Sequence, residues 1–214
     1  MIDIKILGKK YSLPSCREIS INKFVEFLEF CDDNQPDSIK EGTVGDTMED
    51  AAYYANELQF WTGCVYSDIR KHPISEIYGV WRMQQEQLFC NEQLDYNCFC
   101  LDHDIYYLPK RGMQDSTIED FAEANEYEKQ FAELKNGIYS ALPKIAAVLC
   151  RRSGETFDSY NVEERAELFG KELTAWDAFQ IGFFLLRQSE KFSKDFQIYT
   201  ASMTIAQLKQ ALKS

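Results

Sequence analysis

The stretch Cys98-Phe99-Cys100-Leu101-Asp102-His103-Asp104-Ile105-Tyr106-Tyr107-Leu108-Pro109, followed shortly by Ser116-Thr117-Ile118-Glu119-Asp120-Phe121, decides how the chain is read. Two β-prone arms flank a polar Asp-His-Asp turn, which predicts a β-hairpin. Pro109 closes the second arm, because proline cannot donate to a ladder. A hydroxyl with an acid three residues later, ahead of apolar residues, is the capping box of a helix start. Ser116 and Glu119 fill those roles, and the helix is expected from about Ile118 to about Lys135.

Toward the N-terminus the same order recurs. Ile2, Ile4 and Ile6 alternate with polar residues, Gly8-Lys9-Lys10 reads as a turn, and Tyr11 and Leu13 form the returning arm. Ser20 is the expected cap of a helix that uses Ile21, Phe24, Val25 and Leu28. The run Tyr11-Ser12-Leu13-Pro14 with Ser20-Ile21-Asn22-Lys23-Phe24 echoes Tyr107-Leu108-Pro109 with Thr117-Ile118-Glu119-Asp120-Phe121. Either an old duplication or the independent recurrence of turn and cap preferences accounts for this.

Between the two hairpins, Asp32 to Gly45 reads as an acidic loop. Thr47-Met48-Glu49-Asp50 resembles a capping box, for a helix using Ala51, Ala55, Leu58 and Trp61 and ending at Thr62-Gly63. After the break at His72-Pro73, Ser75 is expected to cap a helix carrying Ile77, Val80, Trp81, Gln84 and Leu88. Further on, the expected elements are a helix over Ile138 to Arg151 with Pro143 near its start, a loop from Arg152 to Asp158, and an acid-rich helix from Val162 to Leu173. Thr174-Ala175-Trp176-Asp177 caps the longest helix, through Phe179, Phe183, Phe184 and Leu186 towards Phe192, before a short helix from Ile205 to Leu212. The expected fold class is α+β and mostly α: two small β-hairpins, each followed by a helix, with a C-terminal helical bundle. The chain divides as an N-terminal unit (1–95) and a second unit (96–214), or forms one continuous domain.

The 214 residues carry 23 Lys+Arg against 35 Asp+Glu, a formal charge of −12, and 45% are apolar. Disorder of the whole chain is excluded. The sign of the charge argues against nucleic acid as a partner and against adsorption to an anionic membrane. From Phe24 to Phe60 there are ten acids and one base, Lys40; from Asp115 to Glu133, seven acids and one base, Lys129. From Phe183 to Ser214 the balance reverses, with five bases and two acids. These are either solvated helix faces or complementary surfaces for self-association or for a basic partner. Met1 to Gly8 lacks the apolar core of a signal peptide, and the most apolar run, Ala178 to Leu186, is too short for a membrane span. Seven cysteines, an odd number, fit reduced thiols in a cytosol.

The densest candidate for chemistry is Cys90, Cys98, Cys100 and His103, with Asp102 and Asp104 alongside. Residues two apart on a strand share a face, so Cys98 and Cys100 point together, either at a metal such as zinc or into the core. Asp102-His103-Asp104 is similar to short acidic motifs that hold magnesium, but no Gly-rich loop or P-loop lysine accompanies it. Only two histidines exist, His72 and His103, and there is no Gly-x-Ser-x-Gly elbow, which leaves a Cys-His pair as the option for nucleophilic catalysis. No catalytic residue is assigned and no cofactor is expected. Trp61, Trp81 and Trp176 lie near helix faces and read as core residues or as interface anchors; with Glu119 and Asp120 they form the expected contact set.

Residues 1–30, with Ile4-Lys5-Ile6, Tyr11-Ser12-Leu13 and Ser20-Ile21-Asn22-Lys23-Phe24, resemble the opening of a ubiquitin-type β-grasp domain; without a C-terminal Gly-Gly, conjugation is not implied. The second half resembles small structural and assembly proteins of tailed bacteriophages. The resemblance rests on Tyr107-Leu108-Pro109, Ser116 to Phe121, Leu142-Pro143-Lys144-Ile145-Ala146-Ala147-Val148-Leu149, Asp158-Ser159-Tyr160 and the aromatic helix from Trp176 to Leu186. It implies a non-enzymatic virion, tail or connector component, or a chaperone for their assembly. Such a protein works in the host cytoplasm, and its partners are other virion proteins or itself. The alternatives are an acidic adaptor or inhibitor of a cytosolic host protein, and an enzyme using Asp102, His103, Asp104 or a Cys-His pair.

Overall fold

The computed structural model describes residues 2–6, 8–36, 47–89, 97–110, 116–132, 136–156 and 160–184. Strands β1 (Ile2–Ile6) and β2 (Lys9–Leu13) pair antiparallel, with Ile2 opposite Leu13 and Ile6 opposite Lys9. The turn is therefore a two-residue loop containing Gly8, and the expected Gly-Lys-Lys turn is corrected: Lys9 and Lys10 belong to the ladder. A loop this tight needs left-handed backbone, and Gly8 supplies it at φ +80°.

Helix α1 (Ile21–Asn34) starts as the sequence predicts, with the Lys23 N–H donating to Ser20 Oγ at 3.2 Å. It buries Ile21, Phe24 and Phe27 and extends through Asp32 and Asp33, correcting the start of the expected loop. The remainder of that loop, 37–46, and the cap proposed at the Thr47 side chain lie outside the described residues. Helix α2 (Thr47–Thr62) ends where Gly63, at φ +65°, donates its N–H to the Gln59 carbonyl at 2.8 Å. The short α3 (Tyr66–Ile69) leads to α4 (Ile74–Leu88), whose N-cap position is Pro73; Ser75 lies inside the first turn and does not cap it.

Strands β3 (Cys98–Leu101) and β4 (Asp104–Tyr107) form the second hairpin. Asp102 and His103 make its turn, both at positive φ (47° and 69°), the geometry of the primed turns that match strand twist. Helix α5 (Ile118–Ala132) is capped not at Ser116 but at Thr117, the hydroxyl that the N-terminal echo aligns with Ser20. The Thr117 N–H donates to Asp120 Oδ2 at 2.7 Å, and the Asp120 N–H donates to Thr117 Oγ1 at 3.1 Å, so Thr117 and Asp120 form the box in place of Ser116 and Glu119. Helix α6 (Gly137–Leu149) carries Pro143 in its middle and stops short of Arg151. Arg151 and Arg152 instead form β5 (Arg151–Arg152) and pair with Tyr107 and Tyr106, making a three-stranded sheet in the order β3-β4-β5. Helix α7 (Val162–Glu172) follows, then α8 over 175–184, capped by Thr174 as the sequence predicts: the Asp177 N–H donates to Thr174 Oγ1 at 3.1 Å. The expected continuation to Phe192 and the helix from Ile205 to Leu212 lie outside the described residues. The fold is α+β and mostly helical.

The largest core gathers Ile21, Phe24 and Phe27 of α1 with Leu88, Phe99, Tyr106, Phe169, Trp176 and Phe179, and so draws on both sides of position 95. A second core places Ile6 and Leu13 under α2 to α4, against Ala55, Leu58, Ile69 and Ile77. A third joins α5 to α6 through Ala124, Ala141, Ile145 and Val148. Each hairpin and the helix after it thus enter different cores, and the likeness of residues 1–30 to a β-grasp opening is one of chain order. The start of α1 is tied instead to the start of α8: the Ile21 N–H donates to the Leu173 carbonyl and the Ala175 N–H to the Ile19 carbonyl, both at 2.9 Å.

Candidate functional site

Ile74, Tyr78, Trp81 and Gln85 fall at i, i+4, i+7 and i+11 along one side of α4, and Asp50, Tyr54, Glu57 and Trp61 repeat that spacing on α2. Where the two rows meet, Tyr54 lies 4.3 Å from Trp81 and 5.6 Å from Tyr78, and Tyr78 stacks on Trp81 at 5.8 Å between ring centroids. Tyr78 is 45% exposed and Ile74 52%. The result is an aromatic shelf at the surface, where α4 meets the end of the acid-rich segment 24–60.

The shelf is anchored from beneath by Glu57, which is 3% exposed. Trp81 Nε1–H donates to Glu57 Oε2 at 2.8 Å and Gln85 Nε2 donates to the same oxygen at 2.6 Å. Tyr53 and Cys31 also hydrogen-bond to this carboxyl group. Burial pushes Glu57 above its ordinary value of 4.5, and the four hydrogen bonds oppose that push only in part. Burial and the Glu57 charge together drive the Cys31 thiol and the Tyr53 phenol upward, so Cys31 is an unreactive thiol here.

An acid whose folded pKa is raised binds its proton more tightly in the folded state, so its contribution favours folding below 4.5 and is lost as pH rises through the folded value. The melting temperature of the wild type minus that of Glu57→Gln should therefore be more positive at pH 5 than at pH 7.5, in scanning fluorimetry at constant ionic strength. Equal differences at the two pH values would contradict the raised pKa.

The expected contact residues separate on inspection. Trp81 sits in the shelf, and Glu119 is exposed on α5. Trp61 is half-buried against Phe27 and Phe60. Trp176 is 8% exposed, with the Arg17 guanidinium 4.0 Å above its ring. Asp120 is fully buried and ion-paired with Arg151. Asp120 and Trp176 are thus corrected from surface contacts to interior residues: one serves a cap and the part-buried Arg151, the other closes the main core.

Cys98 and Cys100 share a face, as period two requires, and it is the exposed face; Phe99 and Leu101 take the buried one. Asp102 and His103 are exposed at the turn, while Asp104 Oδ2 accepts from Arg152 Nη1 at 2.7 Å. Cys90 lies outside the described residues. His72 Nδ1 is 3.5 Å from Glu76 Oε2. Among the described residues no group of three or more His, Cys, Asp or Glu side chains comes together to hold a metal ion. No described helix is long and apolar enough to cross a membrane.

Sequence reasoning missed two features. The Glu57 network joins residues more than twenty positions apart, and no local spacing reveals it. The other is a cavity of about 630 Å³ at the β4–β5 edge, walled in part by Lys110, Arg151 and Arg152. The Arg-Arg pair is its signal in the sequence, masked by its place at the expected junction between a helix and a loop. Comparison of the chain with protein-family models, curated proteins and solved structures finds no match.

Proposed function

We propose that the protein is a non-enzymatic interaction component, of the kind its resemblance to tailed-phage structural and assembly proteins implies, and that it docks through the Tyr54–Tyr78–Trp81 shelf. The observation that supports this reading is the stack itself. Aromatic rings offer large, rigid contact area at low entropic cost, which is why Trp and Tyr concentrate at protein contacts. Asp50, whose charge acts on Tyr54, favours a basic partner, whose Arg and Lys side chains can lie over the ring faces. Residues 183–214 of a second copy have that charge, with five bases and two acids, so self-association in an assembling particle is the simplest arrangement. In this reading the protein works in the host cytoplasm, where particles are built, and carries no catalytic role.

Light scattering across a salt series, with analysis of purified particles, tests the proposal. Oligomers should form at about 0.05 M salt and shrink at about 0.5 M, because exposed charges are screened over a few ångströms at the higher value. The protein should also be found in, or purify with, particles. The exposed pair Ile74→Ser and Tyr78→Ala should weaken association about tenfold or more while costing only about 1 kcal/mol or less of stability. A monomer at every salt concentration, together with absence from particles, overturns the proposal.

A further inference from the structure

From the cavity at the β4–β5 edge we infer that the protein binds a small phosphate monoester carrying an aromatic group, of about mononucleotide size. The volume, about 630 Å³, falls in the range of small-ligand pockets. Its wall combines two chemistries. Tyr107, Leu149 and Phe184 offer aromatic and aliphatic surface, while Lys110, Arg151 and Arg152 bring three cations to one place in a chain of net charge −12.

The two arginines are held in position in advance. Arg151 is fixed by the fully buried Asp120. Arg152 donates through Nε to Glu155 at 2.9 Å and through Nη1 to Asp104 at 2.7 Å, which orients the guanidinium plane and leaves Nη2 for a ligand oxygen. Glu155 also lines the cavity, but its charge is already matched by Arg165, which donates to it at 2.6 Å. The bridge from Arg152 to Asp104 is the weak partner. Both side chains are nearly half exposed, 44% and 45%, and an exposed pair of this kind contributes little to stability. A phosphate dianion offers three acceptor oxygens and a higher charge, so it displaces Asp104 from Arg152. The turn beside it has room for this: Gly154 lines the cavity, and a Cβ built there would meet nothing within 4 Å.

This inference is independent of the docking role, and its test reads a different quantity. The full chain is titrated calorimetrically with AMP and phenyl phosphate, and in parallel with adenosine and phenol, at matched ionic strength. The two phosphates should bind saturably at one site, and the uncharged analogues at least about tenfold more weakly. Lys110→Gln should weaken phosphate binding by a similar factor with little change in melting temperature, and Arg152→Gln, which also removes a hydrogen bond to Glu155, should do so with a lowered melting temperature. Asp104→Asn, which removes the competing carboxylate, should strengthen it. Failure of both phosphates to bind saturably, equal binding of charged and uncharged analogues, or unchanged binding in both cation variants overturns the inference.

Discussion

Phe24→Ala should lower the free energy of unfolding by about 3–5 kcal/mol. Phe24 is fully buried, and the rings of Phe89, Tyr139 and Phe179 meet it edge-on at 5.4, 5.5 and 5.0 Å. Truncation removes the transferred surface and opens a cavity among rings that cannot all collapse into it, and each lost aromatic pair adds about 0.5–1.5 kcal/mol. Domains of this size are stable by only about 5–15 kcal/mol, so one residue carries a large share. Its neighbours come from the end of α4, from α6 and from α8, on both sides of position 95. The variant should therefore still unfold in one transition, at a lower urea midpoint, by both far-UV dichroism and tryptophan fluorescence. A second transition that keeps the wild-type midpoint would show that residues 96–214 fold independently of Phe24.

Glu155→Ala should cost a comparable amount, about 3–5 kcal/mol at pH 7, because it strands a buried cation. The Arg165 side chain is only 5% exposed and meets Glu155 at 2.6 Å, while its guanidinium lies 3.3 Å from the centre of the Tyr160 ring. Burial alone would raise the Glu155 carboxyl. Hydrogen bonds from the Arg165 side chain and from the backbone N–H and side chain of Arg152 outweigh it and hold the pKa at about 2. A lowered acid contributes stability above its ordinary value of 4.5 and loses that contribution as pH falls towards 2. The gap between wild type and variant in urea denaturation should be level from pH 5 to 8 and narrow below 4.5. A gap below about 1 kcal/mol at neutral pH, the size of an exposed pair, would contradict the buried bridge.

What the sequence made legible was local. Ser20 and Thr174 are readable as caps because a cap is decided within four residues, and the second hairpin because Asp-His-Asp between β-prone arms has few other uses, although Asp104 belongs to β4 and only Asp102 and His103 make the turn. The α5 cap reads two ways, as a Ser116–Glu119 box and, by the echo of Ser20, as Thr117, because adjacent hydroxyls and adjacent acids offer two overlapping boxes and the local pattern does not choose between them. Burial does: the chosen acid, Asp120, also has to reach Arg151, thirty-one residues away. The same kind of distance hid β5, a strand of two residues visible only through its partners on β4. The shelf was half legible. Trp81 stood out by residue type, but its anchor on α2 and its stack with Tyr54 depend on how two helices cross.

The paired backbone bonds between the starts of α1 and α8 join residues about 150 positions apart. During synthesis at about 5–20 residues per second, α1 emerges roughly 8–30 s before the segment that completes its first turn. In that interval Phe24 and Phe27 have no Phe179, Trp176 or Phe169 to cover them. The nascent chain is thus committed to a waiting state in which this face of α1 has only Phe60, Trp61 and Phe89 against it. A transcript truncated before codon 175 would yield a product that never leaves that state, to be held by chaperones or degraded.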